Sequence, residues 1–152
     1  MKSRKRRKVA KIVIAPDPVL STVCDPVEAG EDISHIIKDM LYVLTNSKTG
    51  VGISANQVRH TKCIIVVQLD NHDYKVMINP TFAPTFPMSD IKGEGCLSYP
   101  GKYKEIERFL DIEVDYMNEQ GDKKFERFFH FEARIIQHEI DHLVGRCQVG
   151  EK

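Results

Sequence analysis

The chain has no apolar run near the roughly 20 residues that cross a bilayer, and its N-terminus has no apolar stretch of the kind that directs secretion. No membrane association is therefore expected. Cysteine is sparse and unpatterned. Cys24, Cys63, Cys96 and Cys147 are widely scattered, which argues against a disulfide scaffold and for a reduced cytoplasmic compartment, where cysteine packs or binds metal. The glycines of Gly50-Val51-Gly52-Ile53-Ser54-Ala55-Asn56-Gln57 are not followed by the Lys-Ser/Thr ending of a phosphate-binding loop, so nucleotide phosphate is not expected there. Net charge is also missing, since 22 Lys and Arg balance 22 Asp and Glu. The balance is uneven, however. Lys2, Arg4, Lys5, Arg6, Arg7 and Lys8 form a basic arm, and without these six the acidic residues outnumber the basic by six. Residues 1–8 read as a disordered, solvated tail, with weak contact to RNA or the ribosome through phosphate neutralisation as the functional alternative.

What remains, residues 9–152, suits a single domain with a real hydrophobic core. Ile33, Ile36, Ile37, Met40, Leu41 and Leu44 recur at three- and four-residue spacing and predict a helix over 31–46. The run Cys63–Val67 predicts a buried strand over 62–69. A turn at 70–73 and a return strand over 74–78 follow, and Asn79-Pro80 closes the hairpin. Residues 81–92 carry two prolines and read as irregular or edge-like. Gly93 to Gly101 reads as a shaped loop. Alternation over 106–117 predicts one strand, and 123–128 its hairpin partner. The last helix spans about 130–143 and is stopped by Gly145. The fold class is α+β, with antiparallel sheets wrapped around the C-terminal helix and the first helix packed outside.

That last helix carries His138-Glu139-Ile140-Asp141-His142. Residues four apart on a helix lie about 40° apart around its axis, so both imidazoles can reach one divalent ion. Glu139, about 100° round, can instead address a water that the ion activates. Phe131 and Ile135 share the histidine face and predict an apolar pocket wall beside the metal. The third ligand is expected upstream, because only ten residues follow His142. Cys96, in a glycine-flexible loop, is the leading candidate. Cys147 is the alternative, but it would reach the site only if the chain folded sharply back after Gly145. Three ligands leave a fourth position for water, the mark of a catalytic site, whereas a closed structural site takes a fourth protein ligand.

GVGISANQ, EGCLS and QHEIDHL stand here in the order and spacing of peptide deformylases. The segment Ile14–Leu20 and Ile78-Asn79-Pro80 extend the resemblance from about Val9 to Gly145. The resemblance implies a metal-dependent hydrolase that takes the formyl group from formyl-methionyl nascent peptides and releases formate. It implies one divalent ion per chain, Fe2+ natively, with Zn2+, Ni2+ or Co2+ as substitutes. Carried over, it makes Cys96, His138 and His142 the ligands and Glu139 the general base and acid. Gln57 and the backbone N–H of Leu97 become the oxyanion donors. Val51, Gly52 and Gly95 offer backbone groups to an extended peptide.

Asp141 is read as an ion-pair partner of Arg108. Ser54 and Asn56 depart from the family's usual Ala and Pro or Thr, and Tyr103 stands where many bacterial members have an arginine. Ending at Lys152, the chain resembles compact, phage-like forms that lack a C-terminal helical extension. It is expected to act as a monomer in the cytoplasm of a bacterium or phage-infected cell, with an organelle as second choice.

Overall fold

A strand that is apolar at every position needs a cover on both of its faces. Residues 64–67 are such a strand and are at most 1% exposed. A computed structural model describes residues 9–151; the basic arm expected at residues 2–8 lies outside the described residues. Strands β1 (Gly52–Ser54), β2 (Ile64–Gln68), β3 (Tyr74–Pro84), β6 (Asp111–Met117) and β7 (Lys123–Phe129) form one antiparallel sheet in the order β1-β2-β3-β6-β7. Strands β4 (Ser89–Gly95) and β5 (Tyr103–Phe109) pair separately as a two-stranded sheet.

Helix α1 (Ser34–Thr45) covers one face of the larger sheet and α2 (His130–Leu143) the other. Because side chains alternate along a strand, Ile64 and Val66 pack with Ile36, Ile37, Met40 and Leu44 of α1. Ile65 and Val67 pack with Ile135, Ile136 and Leu143 of α2. Each such side chain, fully buried, is worth roughly 1.5–3 kcal/mol. The α+β class expected from the sequence is the observed one, with α2 as the helix the sheets enclose.

Four expectations need correction. Asn79-Pro80 does not end the hairpin, since β3 continues to Pro84. The proline lacks a ladder donor, and the register shifts between Ile78 and Thr81, where a bulge absorbs the missing bond. Asn79 turns its amide sideways there, accepting from the Val27 N–H at 2.9 Å and donating to the Val27 carbonyl at 3.0 Å. Beyond the bulge the strand pairs with β6.

Residues 81–92 are largely strand, edge-like in β4 and not irregular, and Gly93-Glu94-Gly95 belongs to β4, opposite Tyr103–Glu105. Only the chain from Cys96 onward is the shaped loop. The single strand expected over 106–117 is two strands that break at Leu110. The Leu110 N–H donates to Met88 at 3.0 Å, and its carbonyl accepts from His130 at 2.7 Å. Alternation continues across this break, so periodicity could not reveal that the chain changes sheets.

Candidate active site

Four segments converge on the inner face of α2. The helix presents His138, Glu139 and His142, all buried. After β1, a short 3-10 turn at Ala55–Val58 delivers Gln57. The loop after β4 delivers Cys96 and Leu97, and the turn after α2 delivers Cys147. The Nε2 atoms of His138 and His142 are 3.2 Å apart, and Cys96 Sγ is 3.4 Å from His142 Nε2. Tetrahedral corners at ordinary Zn–N and Zn–S bond lengths lie about 3.3–3.8 Å apart. The cluster therefore has the dimensions of one ion's donor set.

Its chemistry fits as well. His138 Nδ1 is 2.8 Å from Glu94 Oε1. With Nδ1–H donating to that carboxylate, Nε2 turns its lone pair toward the cluster, the usual support for a metal-binding imidazole. Glu94 is held by Arg108 through Nε at 2.9 Å and Nη2 at 3.0 Å, and by Arg134 Nη1 at 2.6 Å. Burial pushes the Glu94 carboxyl up, but the bonds from His138 and Arg108 outweigh it and hold the group at about 2. The Arg108–Asp141 pair expected from the sequence is present at 2.7 Å.

Glu139 is the opposite case. Its burial raises the carboxyl above its ordinary range, against the pull of the neighbouring histidines. Its Oε1, like His142 Nδ1, has no hydrogen-bond partner among the described residues. A buried carboxylate left short of partners costs stability and is the mark of a group kept for chemistry.

Gln57 is fixed by its other end. Its Oε1 accepts from the Ser54 N–H at 3.0 Å and the Ser54 hydroxyl at 3.2 Å. Nε2 therefore points inward, donating to Ser98 Oγ at 3.0 Å and toward Cys96 Sγ at 3.6 Å. Asn56 donates to the His142 carbonyl at 2.8 Å, tying this turn to the last turn of α2. The two departures from the usual family pattern thus have polar work: the Ser54 hydroxyl lies 2.6 Å from Asn56 Oδ1 and 3.2 Å from Gln57 Oε1, and Asn56 pairs with the helix end.

A cleft of ≈ 420 Å³ opens onto this cluster, and its walls include Val51, Gly52, Gly95, Leu97, Phe131 and Ile135. All five residues proposed for substrate contact thus line one space, although Phe131 is 54% exposed and forms its rim. Gly52 has no room to grow. A Cβ there would meet Glu139 Oε2 at 2.7 Å and Ile135 Cγ2 at 2.8 Å. Gly52→Ala is expected to cost about 1–3 kcal/mol of stability and to displace Glu139. Thermal melts and turnover measured together check this, and a variant with wild-type values of both would contradict it.

Two groups here go beyond what the sequence shows. Glu94 appears there only as a carboxylate between glycines, with nothing to show two arginines and a histidine converging on it. Cys147, the less favoured alternative because the chain would have to fold sharply back after Gly145, does reach the cluster. Among the described residues, the ligand atoms of Cys96, His138, His142 and Cys147 all lie within 4.8 Å of one another. The proximity of the two free thiols pushes Cys96 up and holds Cys147 low, with burial adding to the rise at Cys96.

The family model for polypeptide deformylases matches residues 9–150. A peptide deformylase of Rhizorhabdus wittichii is 36% identical over 144 residues, covering 88% of this chain and 81% of its own length. A solved structure of a probable peptide deformylase from Synechococcus phage S-SSM7 superposes with a TM-score of 0.84 at 32% identity, covering 92% of this chain and 97% of that one. A class I type b peptide deformylase from Acinetobacter baumannii, solved with Met-Ala-Ser bound, gives a TM-score of 0.85 at 29% identity, covering 94% and 99%.

Proposed function

This chain belongs to the polypeptide deformylase family, metal-dependent hydrolases that remove the formyl group from nascent peptides, and we propose that Cys96, His138 and His142 hold its ion. The observation that carries this reading is the meeting of these three donors with Glu139 and Gln57 at one cleft. When bound, the ion supplies the Lewis acidity that makes water nucleophilic near neutral pH.

Glu139 takes the proton from the attacking water and returns it to the leaving amine nitrogen as the formyl C–N bond breaks. Burial has already raised its affinity for that proton. As negative charge develops on the formyl oxygen, Gln57 Nε2 and the Leu97 N–H donate to it. Neither donor titrates, and Gln57 is pre-aimed by Ser54. The longer of its two present bonds, that to Cys96, is the one a formyl oxygen would replace.

Strand β1 is a sheet edge and β4 has one unpaired edge, and both border the cleft. An extended peptide pairing between Val51-Gly52 and Gly95 would gain affinity mainly from main-chain bonds. Ile135 and Phe131 would take the methionine side chain. The Met-Ala-Ser bound to the A. baumannii relative is a peptide of that kind.

The finer assignments follow the same reading. Fe2+ is the native ion, with Zn2+, Ni2+ and Co2+ accepted by a thiolate–imidazole set. Residues 9–152 act as one catalytic domain, monomeric and cytoplasmic, and residues 2–8 give weak contact to ribosomal RNA. Nickel- or iron-loaded protein incubated with formyl-Met-Ala-Ser should release stoichiometric formate, and no formate would overturn the reading. Gln57→Ala should reduce turnover by about 10²–10³ with metal content unchanged. A loss confined to KM would remove Gln57 from the oxyanion role.

A further inference from the structure

The outer face of β4 is bare beside the cleft. Side chains alternate along a strand, and Glu94 points inward, to His138 and Arg134 of α2. Gly93 and Gly95 therefore face outward, and both line the cleft. Their cross-strand partners on β5 are Glu105 and Tyr103. Both partners are exposed, Tyr103 to 81%, more than any other large hydrophobic side chain among the described residues. We propose that Tyr103 and Glu105 select a cationic side chain, arginine foremost, at the residue that follows the formyl-methionine. The proposal rests on the deformylase reading and on an extended peptide pairing with the free edge of β4.

Alternation also fixes which peptide residue is read. The methionine side chain is directed inward to Ile135 on α2, the side to which Glu94 points. The next side chain of an extended peptide points the other way, onto the face of Gly93 and Gly95. Paired strands lie about 4.8 Å apart, so the peptide and β5 flank β4 with roughly 10 Å between them. A middle row of side chains would ordinarily fill that gap. Here a Cβ on Gly93 would meet nothing within 4 Å. Over Gly95 leans the Tyr103 ring, its Cε1 3.0 Å and its Cδ1 3.3 Å from the place of a Cβ. The ring has thus crossed toward the peptide, and a long peptide side chain meets it from the other side.

The chemistry of this shelf sets the kind of side chain. The ring attracts a cation over its face, and Glu105 stands on the diagonal, where cross-strand neighbours of opposite charge pair. A planar guanidinium stacks on a ring and donates to a carboxylate at once, which a compact ammonium does less well. Glu107, the next outward residue of β5, adds negative charge. The nearby lysines are engaged elsewhere. Lys102 Nζ lies 5.8 Å from the centroid of the Tyr99 ring, and Lys104 Nζ donates to the Glu151 carbonyl at 3.0 Å. An acidic residue in this place meets like charge, and alanine reaches neither group.

The test measures kcat/KM for formate release by the nickel-loaded full chain on formyl-Met-Arg-Ser, formyl-Met-Ala-Ser and formyl-Met-Glu-Ser. Arginine should exceed alanine by about 3–10-fold, the range for one exposed cation–π contact with one exposed ion pair, and glutamate should fall below alanine. Tyr103→Ala and Glu105→Gln should each shrink the arginine-to-alanine ratio. That ratio is internal to each protein, so a change in active fraction cancels. Formyl-Met-Ala-Arg, whose arginine alternates back to the inner side, should show no comparable gain. A ratio near one in the unsubstituted protein, a ratio unchanged in both variants, or an equal gain from arginine in third place would overturn the proposal and leave the deformylase reading intact. No formate from any of the peptides would overturn both.

Discussion

Glu139→Ala is expected to lower turnover by about 10²–10⁴-fold, the range for loss of a positioned general base and acid, while the protein keeps its metal. The residue sits beside the donor cluster and is not one of its members. Its proposed work is to hold and return a proton, for which its raised affinity suits it. The same substitution is expected to raise the melting temperature, because it removes a buried carboxylate whose Oε1 has no partner among the described residues. Activity gained at the cost of local stability is a common trade. Metal analysis, formate release and thermal melts on one preparation check all three parts. A variant that lost metal in proportion to activity would make Glu139 a ligand, and the proton-shuttle role would fall.

The largest effect on stability is expected at Glu94. This carboxylate is 8% exposed and neutralises Arg108 and Arg134, each 5% exposed. Breaking a buried ion pair costs up to about 3–5 kcal/mol. Glu94→Ala takes the shared, most buried carboxylate from two guanidinium groups, leaving Arg108 with Asp141 and Arg134 with Asp90 and backbone carbonyls, and also removes the acceptor that orients His138. Metal affinity should fall about 10–100-fold as that support is lost.

Acid dependence gives a second measure. The folded carboxyl titrates at about 2, against an ordinary value of 4.5. The group is depressed on folding, so its stabilisation is complete above about 4.5 and is lost as pH falls through about 2. Urea unfolding of the metal-free protein across that window should show a steep acid limb. Glu94→Gln, which keeps the shape and removes the titration, should flatten that limb. An unchanged limb would place the acid sensitivity elsewhere.

The legibility of the site followed the range of each interaction. The helix α2 and its two histidines were readable because the relation between positions four apart is a property of the helix itself. Ile135 and Phe131 share the histidine face for the same reason, and both line the cleft, Phe131 at its rim. The double cover of β2 was implied by a run apolar at every position. Long-range convergence was not readable in this way. Glu94 meets Arg108, Arg134 and His138, which lie 14, 40 and 44 residues away, and no periodicity encodes such meetings.

The two strands within 106–117 were merged for a related reason. Alternation reports which face a residue occupies and is silent on which sheet it has joined.

The amino-acid sequence by itself determined the helix that carries the two histidines and Glu139, the buried strand and, through three motifs in order, the family. Only the tertiary structure decided what surrounds the donors. The Ser54 bonds aim Gln57, the arginine pair holds Glu94 under His138, and the reversal at Gly145 brings Cys147 to the back of the cluster. Local geometry follows from bond angles and residue spacing. The place of Cys147 depends on where a turn packs against Ser21 and Tyr99, and that is settled only when the whole chain has folded.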